Sequence, residues 1–146
     1  MDTPDTCLEL MRILPATPEE VFAAWTRPEL LGRWFAPPPL VPGRVSADAR
    51  AGGRFQVEML RPQGKAAVVG GEYEELRPPE RLVFTWEFEE MPETRSRVTV
   101  LLRSSGGGTQ LTLRHERLPD ARQLARHREG WEGCLAALET FLGGDR

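Results

Sequence analysis

The sequence predicts an α+β domain in which a curved antiparallel sheet of about seven strands wraps around one long C-terminal helix. Two observations carry this prediction. Segments in which apolar and polar residues alternate fill the middle of the chain, and apolar residues at helical spacing occupy its C-terminal end. Neither a one-sided sheet nor an amphipathic helix buries its apolar face alone, so the helix must pack across the sheet. A cavity between the two is expected.

The long helix is predicted over residues 118–142. Asp120 is the expected N-cap, with Gln123 three residues later, and Gly143 and Gly144 supply the stop. The apolar residues that recur on one helix face are Leu124, Trp131, Leu135, Leu138 and Leu142.

Two glycines flank the tryptophan of this helix. Gly130 and Gly133 lie on either side of Trp131, and glycine inside a helix costs about 1 kcal/mol relative to alanine. Small residues here allow either close packing of the helix on the sheet or a cavity mouth beside the indole. The sequence leaves both alternatives open.

One strand and two short helices precede the main run of strands. Residues 7–14 form the strand, and the first helix is capped by Thr17 with Pro18 at its first position. The second helix is opened by Thr26 and Pro28 and extends to Trp34, where a run of prolines stops it.

The remaining strands follow one another with short turns. Gly70 and Gly71 interrupt one of them and indicate a bulge or a sharp bend. The predicted strands are residues 44–48, 53–61, 65–76, 81–88, 97–103 and 109–116.

Composition limits the function classes. The 146 residues fit a single domain, residues 1–146 with an ordered core of about 7–143. A net charge of −3 argues against nucleic acid or an anionic membrane as partner. No apolar stretch approaches a membrane span, and no basic leader is present at the N-terminus, so we expect a cytosolic protein. Cys7 and Cys134 are expected to be free thiols.

Several blocks of residues together resemble a known family. They include residues 14–26, 50–55, 78–86 and 108–113, followed by His127 with Gly130-Trp131. The chain resembles, over nearly its whole length, the bacterial branch of the heat-shock-protein-ninety ATPase activator homologues, within the START-like or polyketide-cyclase superfamily.

The resemblance implies a helix-grip fold, in which a curved seven-stranded sheet grips the C-terminal helix and encloses a hydrophobic pocket. It does not imply one activity, because members bind lipids, hormones or antibiotics and some cyclise polyketides. It is compatible with a homodimer and with contact to a chaperone. The chain is expected to lack the additional N-terminal domain of the eukaryotic activators, which argues against full co-chaperone function.

The predicted pocket lining is mostly aromatic and aliphatic, which suits a small hydrophobic or ring-containing ligand. The alternative is an ordinary packed core, since buried aromatic residues are normal. The candidates are Trp34, Phe55, Val57, Met59, Phe84, Trp86, Phe88, Val98, Leu113, His115, Trp131 and Leu135.

Candidates for chemistry are few. His115 and His127 are the only histidines, and we expect them to meet at one end of the pocket, with Glu72 or Glu116 as a potential partner. His115 could serve as an acid or base, although a hydrogen-bonded residue at the cavity edge is the favoured interpretation. The ligand spacing of a metal site is missing. We therefore predict no metal, no cofactor and no catalytic residue.

Three function classes follow from these observations. Binding of a small hydrophobic or aromatic molecule is favoured. The alternatives are an interaction module similar to the chaperone activators and a cyclase or hydrolase that uses the same cavity through His115.

Overall fold

The structure is a computed structural model that describes residues 7–143, with the side chains of all of them except residues 92–94. Within this range it contains seven strands and three helices, which confirms the predicted α+β class and the number of elements. In chain order the elements are β1 (Leu8–Leu14), α1 (Pro18–Thr26), α2 (Pro28–Leu31), β2 (Val41–Ala47), β3 (Arg54–Leu60), β4 (Ala67–Arg77), β5 (Arg81–Phe88), β6 (Met91–Ser105), β7 (Gly108–Glu116) and α3 (Ala121–Gly143).

All seven strands belong to one curled antiparallel sheet with the order β1-β7-β6-β5-β4-β3-β2. Strands β2 to β7 form a meander, and β1 pairs with β7, with Leu10 opposite Leu113. The segment with α1 and α2 therefore connects the two edges of the sheet. Helix α3 packs into the concave side, where its buried face meets the buried residues of the strands.

Local hydrogen bonds account for the ends of the first helices. The predicted cap of α1 is confirmed, because the Glu20 backbone N–H donates to Oγ1 of Thr17 over 3.1 Å. Helix α2 ends at Leu31, so its predicted extension to Trp34 is wrong. Thr26 does not open α2 either, since it is the last residue of α1 and its hydroxyl donates to the carbonyl of Phe22.

The two glycines of β4 permit a close approach of neighbouring strands. Pairing with β3 stays in register through Gly70 and Gly71, and the irregularity in the pairing with β5 lies between Tyr73 and Glu75 instead. A Cβ atom on Gly71 would overlap the carbonyl oxygen of Thr85. The close approach of β5 therefore excludes any larger residue at position 71.

Helix α3 begins at Ala121, three residues later than the predicted start at Leu118, and its predicted N-cap is confirmed. The Asp120 carboxylate accepts from the backbone N–H of Gln123 over 2.8 Å, which confirms the N-cap. Gly143 is the last helical residue described, and Gly144 lies outside the described residues. The fully buried residues of this helix are Trp131, Cys134, Leu135, Leu138 and Leu142.

Both cysteines are free, as predicted. Burial raises the pKa of the Cys134 thiol to about 12, so this thiol is protonated and unreactive at neutral pH. None of the helices between residues 7 and 143 combines the length and the apolar character that a membrane span requires.

Candidate functional site

A cleft of about 230 Å³ opens between α3 and the half of the sheet that contains β3, β4 and β5. Its apolar wall includes Met59, Trp86 and Phe88 from the sheet and Trp131 from the helix. The charged residues Arg61, Glu90 and Arg126 surround its mouth and are exposed. The cleft is thus an apolar recess with a polar rim, which is the usual composition of a small-molecule site.

The predicted pocket residues separate into two groups. Met59, Trp86, Phe88 and Trp131 line the cleft. The others are buried on the same concave side of the sheet, within the packed interior. These interior residues are Trp34, Phe55, Val57, Phe84, Val98, Leu113, His115 and Leu135.

Aromatic side chains from α1 and the segment after α2 fill the deep end of the concave face. The ring centroids of Trp25 and Trp34 are 4.8 Å apart, and Phe35 lies 5.9 Å from Trp131. The indole N–H of Trp34 donates to the carbonyl of Ala24 over 3.0 Å, which fixes this ring in place. Only about 10 Å³ of space is left at this deep end, whereas the cleft near Phe88 has about 230 Å³.

Several lining residues were not among the predicted ones. Pro37 and Leu40 come from the segment that leads into β2, and Cys134 and Gly130 come from α3. The sequence indicates a potential cavity mouth at Gly130, whereas Pro37 and Leu40 lie in an irregular segment without periodicity. The sequence offers no signal that would place such a segment over the cleft.

The two glycines of α3 serve different purposes. A Cβ atom on Gly133 would lie 3.1 Å from Cβ of Pro37, so this glycine is needed for close packing against the loop. A Cβ atom on Gly130 would meet no atom within 4 Å. The sequence left close packing and a cavity mouth as alternatives. Close packing applies to Gly133, although against the loop and not the sheet, and the cavity mouth applies to Gly130.

A chain of hydrogen bonds occupies His115 completely. The indole N–H of Trp131 donates to Nδ1 of His115 over 2.9 Å. Because Nδ1 accepts, the ring hydrogen is on Nε2, which lies 2.7 Å from Oγ of Ser96 and donates to it. The Ser96 hydroxyl in turn donates to the carbonyl of Trp86 over 3.3 Å.

His115 is therefore neutral and structural. Its exposed fraction is 0%, and burial, together with the neighbouring His127, lowers its pKa well below the ordinary value of 6.5. The only lone pair of its ring accepts the Trp131 hydrogen. A general-base role would require this bond to break.

The expected meeting of the two histidines is found, since their ring centroids are 4.9 Å apart. Neither glutamate considered as a partner belongs to the cluster. Glu116 bonds to Arg97 and Arg114, and Glu72 alternates with buried residues and so lies on the outer face of β4. Among the side chains that the structure describes, no three of metal-ligating type come together.

His127 differs from His115 because it lines the cleft. Its Nδ1 lies 2.8 Å from the carbonyl oxygen of Gln123, one helical turn earlier. Burial is the main reason why its pKa is lowered from 6.5, and the positive charge of Arg126 lowers it further, whereas the bond to Gln123 acts in the opposite direction. The imidazole is therefore neutral at pH 7.

Seven antiparallel strands curled around a C-terminal helix define a helix-grip protein of the START-like, or polyketide-cyclase, superfamily. Within it, the chain belongs to the family described as "Activator of Hsp90 ATPase homolog 1-like protein", whose model matches residues 15–143.

Individual relatives agree with this assignment. The human "Activator of 90 kDa heat shock protein ATPase homolog 1" is 27% identical over 129 residues, which are 87% of this chain and 34% of the relative. The chain thus spans about a third of the length of that relative.

Solved bacterial structures match over nearly their whole length. A Chromobacterium violaceum protein is 32% identical with a TM-score of 0.84, covering 95% of this chain and 99% of its own. The AHSA1 protein from Silicibacter pomeroyi is 27% identical with a TM-score of 0.84, covering 93% of this chain and 96% of its own.

Proposed function

We propose that this protein binds a small aromatic or hydrophobic molecule in the cleft between the sheet and α3. The observation that carries the proposal is an apolar recess of about 230 Å³ in a domain whose interior is otherwise filled by aromatic packing. An apolar cavity of roughly 150 Å³ is enough to hold benzene. The space beside Gly130 therefore suits a molecule with one or two rings.

The wall of the cleft favours an aromatic ligand. Trp86 and Trp131 have ring centroids 4.9 Å apart, and the Phe88 ring lies 6.0 Å from that of Trp86. An inserted ring gains edge and face contacts with these side chains in addition to the removal of its apolar surface from water. The exposed charges at the mouth keep the entrance hydrated.

Filling the cleft from Gly130 tests the proposal. Gly130→Leu places a branched side chain into open space, and we expect it to weaken binding of a one- or two-ring ligand by about tenfold or more, because it occupies volume that the ligand needs. Replacing helical glycine by leucine also favours the helix, so the variant is expected to fold. The measurement is an NMR titration of the tryptophan indole N–H resonances with indole and naphthalene derivatives.

Gly130→Ala is the matched control, since a single methyl group leaves most of the cleft open. If no member of the panel shifted the indole resonances of the unaltered protein, the proposal would be refuted. Equal affinity in the alanine and leucine variants would place the ligand elsewhere on the molecule.

A second candidate is an interaction module that acts on a chaperone of the Hsp90 class. It is favoured by the 27% identity with the human ATPase activator over 129 residues. If it is correct, adding this protein raises the ATPase rate of a bacterial Hsp90-class chaperone, and Gly130→Leu leaves the increase intact because the cleft is not involved. An unchanged ATPase rate at saturating protein would rule this candidate out.

Two further expectations from the sequence, a homodimer and a cytosolic location, stay predictions.

The third class, a cyclase or hydrolase with His115 as base, has no comparable support. The Nδ1 lone pair of His115 is taken by the Trp131 N–H, and the ring is sealed from the cleft.

A further inference from the structure

We propose that His127 selects a ligand that carries a hydroxyl group on its ring, by accepting a hydrogen bond from that hydroxyl at Nε2. This inference rests on the proposed function, and it names the chemical class of the ligand as a hydroxyaryl compound. It follows from the tautomer of His127, the accessibility of its second nitrogen and the apolar surroundings of the ring.

The tautomer is set by the helix backbone. Nδ1 of His127 lies 2.8 Å from the carbonyl oxygen of Gln123, and a carbonyl oxygen only accepts hydrogen bonds. The hydrogen of the neutral ring is therefore on Nδ1. Nε2 carries a lone pair and acts as an acceptor.

Nε2 is available to a ligand. Among the described side chains and backbone groups, none forms a hydrogen bond with it. Two side-chain nitrogen atoms in the described residues are fully buried and have no hydrogen-bond partner, namely Nε1 of Trp25 and Nε1 of Trp86. Nε2 of His127 also has no partner but is not one of these fully buried atoms. Because His127 is half-buried and lines the cleft, Nε2 has access to the cleft space.

The surroundings of the imidazole place a ligand ring beside this acceptor. The Phe88 ring centroid lies 6.0 Å from that of His127, and the Trp86 centroid lies 6.4 Å from it. A ring inserted along this wall brings an attached hydroxyl within reach of the imidazole edge. A carboxylate offers only acceptors, so it gains nothing from a neutral Nε2.

The neutral state of His127 is consistent with this role. Burial and the charge of Arg126 lower its pKa, while the Gln123 bond raises it. Facing it from β7 is His115, which is itself neutral. The remaining charges near the cleft are Arg61 and Glu90 at the mouth.

A matched pair of ligands tests the inference. 2-Naphthol and 2-methylnaphthalene have the same shape and number of heavy atoms, and they differ in a hydroxyl against a methyl group. Their dissociation constants are measured by calorimetry with the full chain and with His127→Phe. The preference is the dissociation constant of 2-methylnaphthalene divided by that of 2-naphthol. We expect this ratio to fall about three- to tenfold in the variant, which is the value of one hydrogen bond. Arg128→Gln, next to His127 in α3 but outside the cleft lining, is the control and keeps the preference.

Each outcome has a definite meaning. If both compounds bind and the preference is the same in the protein and in His127→Phe, the hydroxyl inference is overturned while the proposed function stands. If neither compound binds the unaltered protein, the proposed function itself falls.

If His127→Phe fails to fold, the inference can still be tested on the unaltered protein by NMR. The ¹⁵N resonance of His127 Nε2 is expected to shift on binding of 2-naphthol and to stay nearly unchanged with 2-methylnaphthalene. Equal shifts with both compounds would contradict the proposal.

Discussion

Trp131→Phe is expected to lower the free energy of unfolding by about 2–4 kcal/mol, the sum of an orphaned buried acceptor and the lost indole volume. The substitution removes the N–H that His115 Nδ1 accepts, and His115 is fully buried, so water cannot replace the donor. Phenylalanine keeps much of the aromatic packing with Trp86. The measurement is urea-induced unfolding followed by circular dichroism at pH 7.5.

Trp25→Phe is a matched control for this experiment. Both tryptophans are 2% exposed, but Nε1 of Trp25 has no hydrogen-bond partner among the described residues. Its replacement removes similar volume and also relieves an unpaired donor, so we expect a loss of about 1 kcal/mol. Equal losses in the two variants would show that the bond to His115 contributes nothing to stability.

Acidification from pH 7.5 to pH 5.5 is expected to destabilise the protein steeply. The pKa values of His115 and His127 are both lowered by burial in the folded chain, from 6.5 in the unfolded chain. Below pH 6.5 the unfolded chain therefore binds protons that the folded chain does not. The stability is fully present above the unfolded pKa and is lost as pH falls towards the folded values, with a slope that cannot exceed about 1.4 kcal/mol per pH unit for each histidine.

Urea unfolding at pH 7.5, 6.5 and 5.5 measures this slope. His115→Gln and His127→Gln should each reduce it, and the double variant should nearly abolish it. The pKa of Glu75 is lowered chiefly by its hydrogen bond with Arg81. Its stabilising effect is present throughout this range and is lost only below its unfolded value of 4.5, so Glu75 adds nothing to the slope between pH 7.5 and pH 5.5. A double variant with an undiminished slope would disprove the assignment to the histidines.

Local patterns were sufficient to predict most of the fold. Strand β5 has the predicted bounds, because alternation and flanking turns determine them. The caps of α1 and α3 involve residues three positions apart and can be read directly from the sequence. Strand β6 is longer than predicted, since it pairs with β5 on one side and β7 on the other, and such pairing extends a strand beyond its own propensity.

The position and extent of the candidate site were harder to predict from the sequence than the fold. Periodicity assigned the correct face to Phe84 and Trp86 but could not tell which end of that face stays open. The answer depends on Trp25 and Phe35, which fill the deep end from a segment of short helices and turns. Such packing between distant segments has no local signature. The contact between the two histidines could be predicted because each lies on a regular element.

The hydrogen-bond chain from Trp131 through His115 and Ser96 to the Trp86 carbonyl has a consequence for ligand affinity. It joins α3, β7, β6 and β5, and it fixes the Trp131 indole through its N–H. The Trp86 indole is held by packing instead, since it is buried and its ring centroid lies 4.9 Å from that of Trp131. Their conformational entropy is lost when the chain folds and not when a ligand arrives. A weakly interacting single-ring compound therefore meets a rigid, ready-made surface, and its affinity is not reduced by the ordering of these side chains.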